Sequence, residues 1–241
     1  IGEALKTNNS LTILKLGNNK ITDVQSIGEA LKTNNTLWRL YLGCNNITDV
    51  QSIGEGLKTN NTLETLMLGR NNITDSGVQS IIDGLKTNNT LETLILGGNN
   101  ITDSGVQSII DGLKTNNTLE TLHLSGNNIT DVQSIGEALK TNNTLKYLHL
   151  SHNKIMDVQS IGEALKANNT LVTLNLTGNG ITDDGGIQSI IEALKTNNTL
   201  KYLHLQNGLS DSLKSQLNAI QQYKRDGSNG YQQVEWMSIY A

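Results

Sequence analysis

The string ALKTNNTL at positions 30–37 returns almost unchanged at 56–63, 84–91, 112–119, 138–145, 164–171 and 193–200. Its last letter opens a second pattern, L-x-x-L-x-L-x-x-N-x-I, which starts at Leu11, Leu37, Leu63, Leu91, Leu119, Leu145, Leu171 and Leu200. The period is therefore 26–29 residues. A unit of that size cannot bury an apolar face alone, so successive units must stack into a solenoid.

Within a unit, the alternation Leu-x-Leu gives a short strand with leucines on one side and variable residues on the other. The segment ITDVQSIGEALK that follows reads as a helix. Asp23 is placed to cap it, and Val24, Ile27 and Leu31 share one face. Glu29 points the opposite way, and Lys32, three residues on, makes a favourable surface pair with it. The helix gives out at T-N-N-T, where asparagine side chains hydrogen-bond local backbone. The asparagine late in the strand motif (Asn19, Asn45, Asn71, Asn99, Asn127, Asn153, Asn179) is expected to form a ladder that satisfies backbone groups between coils.

This pattern resembles the leucine-rich repeats of the ribonuclease-inhibitor type, found also in NOD-like receptors and in the Ran GTPase-activating protein. The resemblance covers residues 1 to about 209 and implies an α/β horseshoe, with parallel strands on the concave face and helices on the convex face. A true ribonuclease inhibitor is not expected, because that family is cysteine-rich and this chain has Cys44 alone. Residues 1–10 read as the back half of a repeat whose strand is missing, so we take the chain as a fragment of a longer protein. Residues 210–241 read as a C-terminal cap. There the ladder asparagine gives way to Gly208, and Leu213, Leu217 and Ile220 mark an amphipathic helix. Turns at Asp226-Gly227 and Asn229-Gly230 then precede a segment suited to a last strand. Tyr223, Tyr231 and Trp236 are assigned to the cap core.

The net charge of −4 supplies no basic excess to draw the chain to nucleic acid or an anionic membrane, which leaves protein partners. No apolar run approaches the roughly 18 residues of a membrane span. A lone cysteine forms no internal disulfide, and glycans on the recurring Asn-x-Thr sites, such as Asn34 and Asn46, would crowd tight turns. Both features suit a cytoplasmic setting.

The repeats supply their own internal alignment. Outward helix positions barely change, as Gln25, Gln51, Gln79 and Gln107 illustrate, whereas the outward strand positions diversify. One column runs Lys15, Tyr41, Met67, Ile95, His123, His149, Asn175, His204, and its neighbour runs Ile13, Arg39, Thr65, Thr93, Thr121, Tyr147, Thr173, Tyr202. Diversification of a contact surface accounts for this contrast, the competing account being that helix packing holds the other face constant. Tyr, Trp and Arg are also the residues enriched at interface hot spots. The candidate protein-binding residues fall in two groups: Trp38, Arg39, Tyr41, Met67 and Arg70, then His123, Tyr147, His149, His152, Tyr202 and His204. Glu64, Glu92 and Glu120, between them, could meet a basic partner, but a solvated rim is the preferred reading.

No catalytic or cofactor site is expected. His123 and His149 sit at equivalent positions of successive strands, but His152 lies in a loop and His204 two strands away, so a third metal ligand is lacking. The histidines are expected instead to make partner affinity pH-dependent. Cys44 and His123 are three strands apart, about 14 Å, beyond proton-transfer reach. Asp75-Ser76-Gly77-Val78 lacks the lysine of a phosphate-binding loop.

The sequence thus points to a noncatalytic protein-recognition module, part of a larger receptor-like or scaffold protein. Two alternatives remain. One is a GTPase activator resembling the Ran activator, from whose acidic C-terminal region the tail RDGSNGYQQVEWMSIYA departs. The other is a consensus-designed scaffold, against which the uneven repeat lengths and Cys44 argue.

Overall fold

The computed structural model describes residues 1–181, 184–205 and 209–226 and divides into two compact units, Ile1–Asn128 and Ile129–Ala241. In the first unit, strands β1 (Ile13–Lys15), β2 (Arg39–Tyr41), β3 (Thr65–Met67), β4 (Thr93–Ile95) and β5 (Thr121–His123) alternate with helices. The helices are α1 (Gly2–Thr7), α2 (Gln25–Leu31), α3 (Gln51–Leu57), α4 (Asp75–Leu85) and α5 (Asp103–Leu113). The second unit holds α6 (Gln133–Leu139), β6 (Tyr147–His149), α7 (Gln159–Leu165), β7 (Thr173–Asn175), α8 (Asp184–Leu194), β8 (Tyr202–His204) and α9 (Asp211–Asp226).

Within each unit the strands pair in parallel and in sequence order. Leu14 lies opposite Leu40, Leu40 opposite Leu66, Leu66 opposite Leu94 and Leu94 opposite Leu122. In the second unit Leu148 meets Leu174, which meets Leu203. The central residue of each three-residue strand points inward, so the repeat period places leucine on leucine down the stack. Leu37, Leu40, Leu42, Ile47, Val50, Ile53 and Leu57 of one coil are all at 0% exposure, which makes a continuous apolar core.

The helix starts follow from the carboxylate that precedes them. Asp23 Oδ1 accepts from the Gln25 amide at 2.7 Å, and Asp49, Asp131 and Asp157 do the same before α3, α6 and α7. In the longer helices the acid moves inside: Asp75 opens α4, and its carboxylate accepts from the amide and hydroxyl of Thr102 in the next coil.

Helix-to-helix packing leaves no room for side chains at particular points. A Cβ on Gly28 would collide with the Ser52 backbone, one on Gly54 with Ser80, and one on Gly136 with Ser160. The constant Ser and Gly of QSIGEAL therefore have a packing cause, and the sameness of the helix face by itself does not mark the other face as functional.

Two asparagine ladders run between coils. Asn45 donates from Nδ2 to the carbonyls of Leu16 and Leu42 and accepts from the Ile21 amide, and Asn71 repeats this one coil on. The second ladder uses the first asparagine of T-N-N-T. Asn34 Nδ2 donates to Leu5 O at 2.9 Å and Asn8 O at 3.0 Å, while its Oδ1 accepts from the amides of Thr36 and Leu37. Asn60, Asn88 and Asn116 follow suit, as do Asn168 and Asn197 in the second unit. Sequence reasoning assigned this asparagine a local turn role only, since the string does not show that its amide reaches back one coil.

Helix α9 buries Leu213 and Leu217. The expected turns and last strand, together with Gly208, Tyr231, Trp236 and the side chain of Tyr223, lie outside the described residues.

Candidate protein-binding face

Strand pleating fixes which residues look outward. Strands β2 to β8 bury their central leucine, Leu14 of β1 is half-buried, and the first and third residues of the strands lie at the surface, except that Thr173 is buried. In the first unit this presents Ile13 and Lys15, then Arg39 and Tyr41, then Thr65 and Met67, in register across β1, β2 and β3.

Two ring contacts organise the first group. The Arg39 guanidinium sits 4.9 Å from the centroid of Trp38, and Lys15 Nζ sits 5.7 Å from the centroid of Tyr41. Both distances are in the cation–π range. Trp38, just before β2, is 38% exposed. Arg70 lies in the turn after β3, with φ of 55°, in the left-handed region. That position is left-handed in seven coils: Asn18, Cys44, Arg70 and His152 share it with Gly98, Gly126 and Gly178.

Charges are treated differently on the two sides of the repeat. On the helix side, lysines pair with an acid three residues earlier: Lys32 with Glu29 at 2.7 Å, Lys58 with Glu55, Lys86 with Asp83 and Lys114 with Asp111. The lysine hydrogen bonds hold the Asp83 and Asp111 carboxyls below the usual aspartate range. Among the described residues, Lys15, Arg39 and Arg70 form no ion pair.

Beside this patch runs a groove of about 680 Å³ within the first unit. Its wall is built from Glu64, Glu92 and Glu120, one per strand, with Asn61, Asn89 and Asn117 from the turns. Trp38 and several threonines complete the lining, which contains no lysine or arginine. The three glutamates, read from sequence as a solvated rim, thus belong to a concavity. A signal for them was present: the strand-start column runs Thr12, Trp38, Glu64, Glu92, Glu120, Lys146, Val172, Lys201, as variable as the columns that were singled out.

His123 ends β5 and is half-buried. Burial pushes its imidazole below the ordinary histidine range, with a backbone hydrogen bond opposing. Gly97 lies against the ring, and a Cβ there would come within 2.7 Å of Nδ1.

In the second unit Tyr147 and Tyr202 flank Thr173, and His149 and His204 flank Asn175, in register on β6, β7 and β8. The two histidines are therefore two strand spacings apart, about 10 Å. Asn175 Oδ1 is occupied by the amide and hydroxyl of Thr177. His152 stands in the left-handed turn after β6, against Gly178. Among the described residues no group of three or more His, Cys, Asp or Glu is placed to hold a metal ion, and no helix is long and apolar enough to cross a membrane.

Parallel strands in register, alternating helices and an asparagine ladder define a leucine-rich-repeat solenoid, and the chain belongs to the leucine-rich-repeat proteins. The family model described as Leucine Rich repeat matches residues 7–24, 33–50, 59–81, 87–109 and 167–187, and that described as Leucine Rich repeats (2 copies) matches 117–167. Among solved structures the chain is similar to an internalin (inlF) from Listeria monocytogenes, at 24% identity and a TM-score of 0.58 over 86% of this chain and 50% of that one. It is also similar to internalin C2 (inlC2) from the same organism, at 20% identity and a TM-score of 0.52 over 85% of this chain and 83% of that one. The chain spans half the length of the inlF chain it matches, and these likenesses concern the fold. No curated protein matches the sequence.

Proposed function

We propose that the chain is a noncatalytic protein-recognition module, of the ribonuclease-inhibitor-like kind, that binds a partner protein through its strand face. A helix in every repeat supports the subtype. The observation that carries the function is the contrast in charge and aromatic placement. Helix-side lysines are neutralised within their own helix, whereas Lys15, Arg39 and Arg70 on the strand side are left to a partner, two of them stacked on exposed or half-exposed rings. Unpaired cations beside Trp and Tyr match the composition of interface hot spots.

The test compares the wild-type chain with a variant carrying Tyr41→Ala, Tyr147→Ala, His149→Ala and Tyr202→Ala, with circular dichroism confirming that both fold. Proteins captured by the first and lost by the second support the strand face. Equal capture by both moves the binding surface elsewhere.

A further inference from the structure

Resting on that reading, we infer that the strand face of the first unit takes an acidic segment of a partner protein, with carboxylates over Lys15, Arg39 and Arg70 and an apolar side chain between them on Met67 and Ile95. Lys15, Tyr41, Met67 and Ile95 stand in register on β1, β2, β3 and β4, about 4.8 Å apart, and form one row across the strands. Met67 and Ile95 are half-buried, so each leaves apolar surface on the face. The three cations surround this row. Lys15 ends it, Arg39 comes two residues before Tyr41, and Arg70 comes three residues after Met67.

Four observations carry the chemistry. Among the described residues Lys15, Arg39 and Arg70 form no ion pair, and strands β1 to β5 contain no carboxylate that could supply one. The ring contacts hold Lys15 and Arg39 over aromatic faces, so part of the cost of ordering their long side chains is already met before a partner arrives. Arg70 occupies a left-handed turn position that Gly98, Gly126 and Gly178 fill in other coils, so a cation is kept there against the preference of the backbone. The fold does not demand the charges, because β6, β7 and β8 hold no lysine or arginine. An apolar centre edged by charge is also how a protein interface divides its surface, and opposite charge on the partner fixes the register. Glu64 limits the acidic stretch on one side. It precedes Thr65, which pairs with Arg39, so carboxylates laid beyond Arg39 toward the strand entry meet like charge, and the acidic stretch runs from Arg39 toward Arg70.

The probe is a displayed library of random peptides, panned against the full chain. Wild type is expected to select peptides with two or more Asp or Glu residues and an apolar residue among them. The variant Lys15→Glu/Arg39→Glu/Arg70→Glu should lose these peptides by tenfold or more. Reversal of three helix-side lysines, Lys32→Glu/Lys58→Glu/Lys86→Glu, changes the net charge equally and should leave binding within threefold, while Met67→Thr/Ile95→Thr should weaken it several-fold. Circular dichroism checks that each variant folds, and the neutral set Lys15→Gln/Arg39→Gln/Arg70→Gln replaces the strand-side reversal if that one does not. Selection of peptides without acidic residues, failure to select any above bare matrix, binding within twofold across the strand-side reversal or across Met67→Thr/Ile95→Thr, or an equal loss on the helix-side reversal overturns the inference. If selected peptides ignore the strand-side reversal but are lost on Tyr41→Ala, the strand face stands and only this inference falls; if they ignore Tyr41→Ala as well, both fall.

Discussion

The Nδ2 of Asn60 reaches back a full coil to donate to the carbonyl of Leu31 at 2.8 Å, while its neighbour Asn61 looks into the groove. Asn60 also donates to Asn34 O and accepts from the amides of Thr62 and Leu63, so one buried side chain closes four hydrogen bonds to the backbone. Removing it strands buried backbone groups, each costing about 1–3 kcal/mol, although relaxation recovers part. Asn60→Ala should therefore lower unfolding free energy by about 2–4 kcal/mol. Asn61→Ala should stay within about 0.5 kcal/mol of wild type. Urea unfolding of the two variants decides this, and equal losses would mean that the second ladder carries no special weight.

This pair shows how much the string disclosed. The leucine columns and the strand-side periodicity fixed the repeat, because burial requires the same residue type at the same place in each coil. Two consecutive asparagines look alike in a sequence, whereas in the structure one is a spacer between coils and the other is free at the rim. The groove was hidden for a related reason. Glu64, Glu92 and Glu120 are polar and recur, which is also what a solvated edge looks like, and only the depth beside them distinguishes the two. Gly28 and Ser52 meet at a helix-to-helix contact, so packing accounts for part of the constancy of the helix face, as the competing account of the contrast between faces holds.

That contact can be measured. Alanine in place of a helix glycine ordinarily gains about 1 kcal/mol. At Gly54 the added methyl meets the Ser80 carbonyl of the next helix, and overpacking of this kind costs about 1–3 kcal/mol. Gly54→Ala should thus be destabilising despite its better helix propensity. Gly180→Ala, where a Cβ would find only ordinary contacts near 3.7 Å with Met156, should be neutral or slightly stabilising. A stabilised Gly54→Ala protein in thermal unfolding would show that the helices separate at little cost.

The half-buried imidazole of His123 links stability to pH. Its folded pKa lies below the ordinary value of about 6.5, because burial disfavours the charged ring. The unfolded chain therefore binds the proton more readily, and stability falls as pH drops from about 6.5 through the lower folded value, then levels off. Above about 6.5 both forms are neutral and the term is constant. His123→Gln should flatten this part of the profile relative to wild type. Urea midpoints taken across that window provide the comparison, and parallel profiles for the two proteins would rule the linkage out.

Arg70 combines strain with exposure. Its φ of 55° is one that glycine adopts freely, and Gly98, Gly126 and Gly178 hold the same position at 70°, 69° and 68°. A side chain in this region costs about 1–2 kcal/mol, partly offset by the greater backbone entropy that glycine loses on folding. Arg70→Gly should raise unfolding free energy by about 0.5–1 kcal/mol. The same change removes one of the unpaired strand-side cations, so capture of partner proteins through the strand face should weaken several-fold. A variant that is more stable yet binds less well would place the strain in the service of the interface. A variant that binds equally well would leave Arg70 as an ordinary surface residue held at an energetic cost, and the cationic patch would shrink to Lys15 and Arg39.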